Sequence, residues 1–322
     1  MQTRPFGRTG LDISEVIFGA GFVGGIIIHA DDDTRRQVIR KALDAGINWI
    51  DTAESYGQGK SEEALGWLLN ELPVAERPHV STKFRLDSGA LDDIPGQIER
   101  KLEASLTRLK ADRVALYQLH NPIGQDGFTA EHVLGAGGVC DTLDRLKGQG
   151  LFDHAGFTAL GDPGQCRQVI DSGRMASAQV YYNLINPSAG YAVPASWSTQ
   201  DFQGLIAACA AQGVAVMNIR IFAAGVLTAG GEHDRMMPIT PNSSYAEEKA
   251  RADAVFAVLG DRYGTRAQAA LRFGLANSGV SGVVIGMAET AHLEEALAGA
   301  AMGPLPDKAI EALQPIWARD FA

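Results

Sequence analysis

The chain has 322 residues, of which 46% are hydrophobic and 20% charged, a composition that excludes a disordered or collagen-like protein. Its 28 basic residues stand against 38 acidic ones, a net charge of −10, which argues against nucleic acid or an anionic membrane as a partner. Three cysteines without Cys-x-x-Cys spacing, Cys140, Cys166 and Cys209, indicate neither a disulfide framework nor a thiolate metal site. Since no signal region or run of ~18 apolar residues is present, we expect a soluble, cytoplasmic protein.

The first predicted element is a hairpin. Residues 4–6 and 11–13 flank Gly7-Arg8-Thr9-Gly10, and a glycine-containing turn between two short strands is typical of a β-hairpin. Beyond it, eight short apolar runs alternate with longer segments of helical periodicity. We predict strands at 16–18, 47–50, 79–84, 114–119, 154–157, 178–181, 214–219 and 282–285. We predict helices from Asp33 to a stop at Gly46, then at 62–70, 98–109, 142–147, 165–171, 201–211, 245–259, 266–276, from about 290, and at 307–319.

This alternation predicts an α/β fold, a (β/α)8 TIM barrel. Strand and helix alternate eight times, as a parallel sheet with crossover helices requires, and no linker divides the chain, so we expect one domain over residues 1–322. The hairpin is placed to plug the N-terminal end of the barrel, and the last helix is expected outside it. Residues 228–244, with Gly230-Gly231 and two prolines, predict a long loop at the mouth.

A glycine motif follows the first barrel strand. Gly19, Gly21 and Gly24 satisfy G-x-G-x-x-G directly after a strand, the context in which the pattern indicates a dinucleotide-binding turn. Residues 25–30, however, come between the motif and the acidic helix start, so no helix is predicted to receive a pyrophosphate there. We therefore interpret the motif as a loop that lines the barrel mouth.

Polar side chains occur at the ends of three consecutive strands. Strand two ends in Asp51, with Tyr56 in the loop after it, strand three carries Lys83, and strand four ends in His120. Taken singly, each has a structural explanation: a loop cap for Asp51, rim packing for Tyr56, a satisfied core side chain for His120. Because the chemistry of these barrels lies where strands end, and a buried lysine needs a partner such as Asp51, we expect the four to converge.

The four residues suit proton transfer to a carbonyl oxygen. A tyrosine has a pKa of about 10 and is a poor proton shuttle at neutral pH unless a cation stabilises its phenolate. Lys83 would supply that cation, Asp51 would hold the lysine charged, and His120 would donate a hydrogen bond to the substrate oxygen. The seven histidines show no His-x-x-x-His pairing, so we predict no metal.

Motifs over nearly the whole chain match one enzyme family. They lie at 6–11, 46–57, 61–66, 81–83, 106–109 and 118–120. In these the chain resembles the aldo-keto reductases. The resemblance implies an NAD(P)(H)-dependent oxidoreductase in which Tyr56 is the acid/base, Lys83 and Asp51 tune it, and His120 orients the carbonyl.

The resemblance also implies where the cofactor would bind. Gln179 matches the glutamine that holds the nicotinamide carboxamide, and Thr158 can keep a hydroxyl contact although Ala159 lacks the family's amide. After strand seven, Arg220 stands where many members carry a stacking tyrosine motif, and we expect it to approach a cofactor phosphate. The loop after strand eight begins at Gly286.

That last loop bears on cofactor choice. It carries Glu289 and lacks the basic residue that NADP-preferring members place against the 2′-phosphate. Because a carboxylate repels that phosphate and can bind a free ribose hydroxyl, we predict that NAD is favoured over NADP.

Residues 181–188 and 220–225 are similar to the aldose 1-dehydrogenase branch, which oxidises sugars such as L-fucose or D-galactose at C1 to a lactone. His29, Trp197 and the loop after His120 are candidates to line the sugar pocket. Two alternatives remain: an NADPH-dependent reductase of small aldehydes or ketones, and a non-catalytic regulatory subunit. The expected partner is a small carbonyl or sugar substrate.

Overall fold

The computed structural model describes residues 1–21, 23–228, 240 and 243–322. The predicted loop at 228–244 therefore lies mostly outside the described residues, as does Phe22 of the glycine motif. The strands are β1 Thr3–Pro5, β2 Asp12–Ser14, β3 Val16–Gly19, β4 Trp49–Asp51, β5 His79–Phe84, β6 Val114–Leu119, β7 Phe152–Ala159, β8 Ser177–Tyr181, β9 Ala215–Ile219 and β10 Gly282–Gly286.

The helices lie between and after these strands. They are α1 Ile26–His29, α2 Asp32–Asp44, α3 Lys60–Asn70, α4 Ile94–Leu109, α5 Ala130–Leu134, α6 Val139–Gly148, α7 Pro163–Asp171, α8 Leu205–Ala211, α9 Tyr245–Leu259, α10 Arg266–Ala276, α11 Thr290–Ala301 and α12 Asp307–Trp317. In the described part of the chain, no helix has both the length and the apolar character that crossing a membrane requires.

Strands β3 to β10 form a closed parallel barrel in chain order, with β10 paired to β3. The predicted (β/α)8 barrel is confirmed. The register sets the level of the polar side chains: Asp51 lies opposite Ser81, Lys83 opposite Gln118. Neighbours in register in a parallel sheet share a face, so the barrel carries a polar layer near the C-terminal ends of these strands.

The hairpin β1–β2 closes the opposite end of the barrel. Its turn places Phe6, which is fully buried, with its ring centroid 4.7 Å from that of Trp49. The backbone N–H of Arg8 donates to the carbonyl of Gly213, just before β9 (2.9 Å). Phe6 belongs to a separate apolar cluster with residues from inside the barrel, including Ile17, Leu116 and Met217. The plug predicted from the sequence is thus present, and its position at the start of the strands leaves the other end as the mouth.

Two differences from the predicted elements have local causes. Helix α8 begins at Leu205, not 201, because Gln203 and Gly204 have φ of 50° and 67°, which a right-handed helix excludes. Helix α5 was not predicted and has only five residues. It starts from a capping box, in which the Thr129 side chain accepts from the backbone of His132 and the His132 side chain accepts from the backbone of Thr129. Such a brief element carries too little apolar periodicity to be recognised.

The sequence predicted no helix start directly after the glycine motif, and that part of the prediction is wrong. Helix α1, four residues long, begins directly after Gly25. The glycines nevertheless serve close packing: a Cβ on Gly24 would overlap the backbone of Met287, and one on Gly19 would lie 2.7 Å from the carbonyl oxygen of Ile285. These glycines let the β3 loop lie against β10 and the residue after it.

Candidate active site

Asp51 and Lys83 form an ion pair inside the barrel mouth. Asp51 is the last residue of β4 and Lys83 lies on β5; both are buried. Lys83 Nζ donates to Asp51 Oδ2 (2.6 Å), to the carbonyl of Thr52 (2.8 Å) and to Tyr56 Oη (3.2 Å). These contacts use all three ammonium protons. Burial alone would lower the pKa of Lys83, but the charge of Asp51, the influence of Tyr56 and the hydrogen bonds to both together outweigh it and raise that pKa above its usual value, so the ammonium stays charged.

The second oxygen of Asp51 is held by neutral donors. Oδ1 accepts hydrogen bonds from Ser81 Oγ (2.7 Å), Gln179 Nε2 (2.9 Å) and Gln118 Nε2 (3.3 Å). Ser81 in turn accepts from the indole Nε1 of Trp49 (2.9 Å). The carboxylate is therefore fixed by donors from three other strands, β5, β6 and β8, and is linked through Trp49 to the hairpin plug.

Tyr56 reaches the ion pair from the loop between β4 and α3. The loop is short, and the amide of Tyr56 donates to the carbonyl of Ala53 (3.1 Å). Lys83 Nζ lies 4.7 Å from the centroid of the Tyr56 ring. A Cβ on Gly21 would come within 3.5 Å of that ring, so the glycine loop packs on one side of it. Because the lysine donates to Tyr56 Oη, the phenolic proton is left to point away from the lysine.

His120 stands beside Tyr56. Its backbone N–H donates to the carbonyl of Phe84 (2.8 Å), and the two rings meet edge to face with centroids 5.9 Å apart. Burial, with the positive charges of Lys83, Arg85 and Arg220, lowers the pKa of His120 to about 3, so the ring is neutral at physiological pH. Nδ1 is buried and has no hydrogen-bond partner among the described residues, which leaves Nε2 as the atom to meet a ligand.

Two of the predicted cofactor residues lie side by side on β7 and β8. Thr158 and Gln179 are opposite each other in the register, and both are buried. The Gln179 amide nitrogen is engaged with Asp51. Thr158 Oγ1 has no hydrogen-bond partner within the described part of the chain. A buried hydroxyl without a partner is costly, so this atom suits a polar ligand group such as a carboxamide.

Arg220 follows β9 directly and has a left-handed backbone, with φ of 59°. Its carbonyl accepts from Asn183 Nδ2 (3.0 Å), and its guanidinium carbon lies 5.7 Å from the centroid of the Tyr181 ring. Ala223 and Ala224 are left-handed as well, with φ of 46° and 52°. Non-glycine residues in this region carry strain that is common at ligand sites. The positive charge of Arg220 is one of those that lower the pKa of His120, so it acts on the pocket of the four catalytic candidates.

Gly286 and Glu289 lie further out. Gly286 ends β10 and is exposed, and Glu289 is an exposed residue that immediately precedes α11. Neither contacts the ion pair. Their position fits the outer part of an extended ligand better than the reacting end.

Trp197 and His29 are not brought to the ion pair by any contact in the described structure. The ring of Trp197 lies 5.8 Å from that of Phe321 and faces the guanidinium of Arg251. His29 is exposed at the end of α1. Trp197 thus packs against the C-terminal segment, the alternative to a pocket-lining role.

Sequence reasoning missed the residues that hold Asp51. Ser81 shares a face with Lys83 because side chains alternate along a strand, and Gln118 is in register with Lys83. The polar alternation of β5 was the available signal. Among the described residues there is no group of three or more His, Cys, Asp or Glu side chains that could hold a metal ion.

The chain is similar in sequence and in fold to known proteins. The model of the Aldo/keto reductase family matches residues 15–318. L-galactose dehydrogenase of Arabidopsis thaliana is 27% identical over 301 residues, 92% of this chain and 88% of that protein. D-threo-aldose 1-dehydrogenase of a Pseudomonas species is 29% identical over 225 residues, 62% of this chain and 66% of that protein. The holo form of an aldo-keto reductase from Bacillus halodurans superimposes with a TM-score of 0.75 at 22% identity, covering 98% of this chain and 96% of that one.

Proposed function

The chain belongs to the aldo/keto reductase family, and from this premise we propose that it transfers hydride between NAD(P) and C1 of an aldose sugar, with Tyr56 as general acid/base. The observation that carries the proposal is the position of Lys83 Nζ, 2.6 Å from Asp51 Oδ2 and 3.2 Å from Tyr56 Oη. A fixed cation at hydrogen-bond distance favours negative charge on the phenolic oxygen, which is what a tyrosine needs to accept and return a proton.

In the oxidative direction, Tyr56 acts as the base. The proton of the C1 hydroxyl would pass to the phenolate oxygen of Tyr56 while hydride leaves C1 for the oxidised nicotinamide, so that C1 becomes the carbonyl of a lactone. In the reductive direction, Tyr56 returns the proton to the carbonyl oxygen. Lys83 and Asp51 keep their charges throughout, because the ammonium has no lower-energy neutral form beside the buried carboxylate.

His120 orients the reacting oxygen. A ring whose pKa is about 3 is neutral, so one nitrogen carries a proton and the other does not. With Nδ1 buried and unpartnered among the described residues, we assign the proton to Nε2, from which it is donated to the substrate oxygen. Together Tyr56 and His120 would bond that oxygen from two sides and fix its angle.

The proposed cofactor site is supported by the buried hydroxyl of Thr158, which has no hydrogen-bond partner among the described residues. When bound, the nicotinamide ring supplies or accepts the hydride. Thr158 and Gln179 are proposed to bind its carboxamide, Arg220 a phosphate, and Gly286 and Glu289 the adenosine end. The exposed carboxylate of Glu289 would repel a 2′-phosphate, which favours NAD over NADP.

The sugar substrate is supported by the names of two relatives, L-galactose dehydrogenase and D-threo-aldose 1-dehydrogenase. The alternative is NADPH-dependent reduction of small aldehydes or ketones, which the same four residues would catalyse. We further propose that residues 1–322 act as one domain, since the hairpin, barrel and last helix pack on one another.

The first test is the rate of nicotinamide reduction with NAD⁺ or NADP⁺ and a panel of aldoses including L-galactose, L-fucose and D-galactose. We expect NAD⁺-linked turnover and a fall in kcat of about 10²–10⁴-fold in Tyr56→Phe, the usual size of a general acid/base contribution. Tyr263→Phe changes a partly buried tyrosine between α9 and α10 and serves as the matched control.

Oxidation of NADPH by small aldehydes, with no sugar turned over, would select the carbonyl-reductase alternative. Full activity of Tyr56→Phe would refute the assigned role of Tyr56. Turnover of neither class would favour a regulatory protein.

A further inference from the structure

Arg85 lies at the barrel mouth, directly after β5 and beside His120. The segment that carries it is bonded to the segment of His120 on both sides: His120 N–H donates to the carbonyl of Phe84 (2.8 Å), and Leu86 N–H donates to Asn121 Oδ1 (2.7 Å). The Asn121 amide donates back to the carbonyl of Leu86 (2.9 Å). The Arg85 backbone is therefore held rigidly against the residue proposed to orient the substrate.

Arg85 is exposed, and its guanidinium has no partner among the residues that the structure describes. Among the described residues no carboxylate lies within ion-pair distance of it, and its side chain makes no hydrogen bond. Glu54 is an acidic neighbour of Arg85, but its Oε1 accepts from the Arg85 backbone N–H (2.8 Å) and from Lys101 Nζ (3.0 Å). Asp87 accepts from the amide of Gly89 (2.9 Å).

The two ion pairs near Arg85 contribute no net charge that would neutralise its guanidinium. Lys83 is neutralised by Asp51, and Lys101 by Glu54. The charge of Arg85 is one of those that lower the pKa of His120 to about 3, together with that of Arg220. Arg85 and Arg220 therefore both place positive charge near His120, and positive charge at a cleft draws anions toward it.

We propose that Arg85 is a specificity-determining residue that binds an anionic group, a carboxylate or a phosphate, on the substrate at a distance from the reacting carbon. This rests on the proposed function and names the substrate class of the same site: aldehydes or aldoses that carry a negative charge. A guanidinium presents paired donors that match a carboxylate or phosphate edge, so the contact would fix the far end of the substrate while His120 and Tyr56 hold its reacting oxygen.

The sharpest probe is a pair of aldehydes that differ in charge and hardly in shape, 4-carboxybenzaldehyde and 4-nitrobenzaldehyde. We expect the wild-type kcat/KM for the carboxylate to exceed that for the nitro compound, corrected for intrinsic reactivity in solution, by about 10-fold or more, as a charge-assisted hydrogen bond provides. Arg85→Gln should remove that preference mainly by raising KM for the carboxylate. Arg113→Gln, an exposed arginine just before β6 at the plugged end, should retain it.

Sugar pairs distinguish the two anions. D-galacturonate against D-galactose tests the carboxylate, and D-galactose 6-phosphate against D-galactose tests the phosphate. Titration calorimetry with 4-carboxybenzaldehyde on wild type and Arg85→Gln gives the same comparison without turnover. Equal affinity of the two proteins would overturn the role of Arg85, whereas binding without any hydride transfer would overturn the proposed function instead.

Discussion

The two halves of the barrel mouth differ in how far their polar side chains are already partnered. In the proton-transfer half (Asp51, Tyr56, Lys83 and His120), the ion pair is buried and bonded to neighbours on every side. In the cofactor half (Thr158, Arg220, Gly286 and Glu289), one hydroxyl has no partner among the described residues and two residues are exposed. The ion pair is thus assembled before any ligand arrives, whereas the second half presents a buried hydroxyl for a ligand to complete.

This difference shows how such a site divides its work. Groups that must keep a charge in a low-dielectric interior need their partners built in, because an unpaired buried charge is very costly. Groups that only recognise a ligand gain from being left open, since the ligand then supplies the missing hydrogen bond. Stability should therefore depend on the first half and ligand affinity on the second.

The largest effect should come from breaking the ion pair. Lys83→Met leaves Asp51 as an uncompensated buried charge, and we expect the free energy of unfolding to fall by about 3–5 kcal/mol, measured by urea denaturation. Lys101→Met removes a partly exposed lysine from Glu54 and should cost no more than about 1 kcal/mol. Similar losses in the two variants would contradict the contrast between the halves.

The second effect concerns His120 and pH. Its pKa is about 3 in the folded protein and about 6.5 in an unfolded chain, so only the unfolded state takes up a proton as the pH falls below 6.5. The stability that neutral His120 contributes is therefore present above pH 6.5 and lost as the pH falls toward 3, at up to about 1.4 kcal/mol per pH unit.

The free energies of unfolding of wild type and His120→Gln, measured between pH 7 and 4.5, test this loss. We expect the difference between the two free energies to narrow as the pH falls. His292→Gln, an exposed histidine on α11, should run parallel to wild type. A gap that stays constant with pH would show that His120 is not held neutral by the fold.

The smallest effect should appear in the cofactor half. Thr158→Val removes the unpartnered hydroxyl, so we expect KM for the cofactor to rise about 2–10-fold, the worth of one hydrogen bond, with little change in the unfolding midpoint. Thr142→Val is the inverse control, because Thr142 Oγ1 donates to the carbonyl of Gly138 (3.0 Å). It should lower stability and leave KM unchanged, and the reverse pattern would mean that Thr158 is structural.

The barrel and the proton-transfer half were accessible to sequence reasoning because both follow from strand ends. Asp51, Lys83 and His120 are the polar residues that close buried apolar runs, and the parallel topology carries such ends to one rim. Gln118 was not predicted as part of the site. A glutamine within an apolar strand indicates no function until the strand register places Lys83 opposite it.

The other features of the site depend on contacts between segments that are distant in the chain. Among the described residues, Glu54 forms its ion pair with Lys101, 47 positions away in the chain, and not with Arg85, and no local pattern encodes that choice. The left-handed backbone of Arg220 is likewise set by packing, because sequence propensity argues against it.

The hairpin plug has a kinetic consequence. Phe6 and Trp49 close the bottom of the barrel, so both ligands of the enzyme must enter and leave by one mouth. Exchange of either ligand through the base of the barrel is blocked by the plug, so a ligand covered by another at the mouth has to wait until that other ligand leaves.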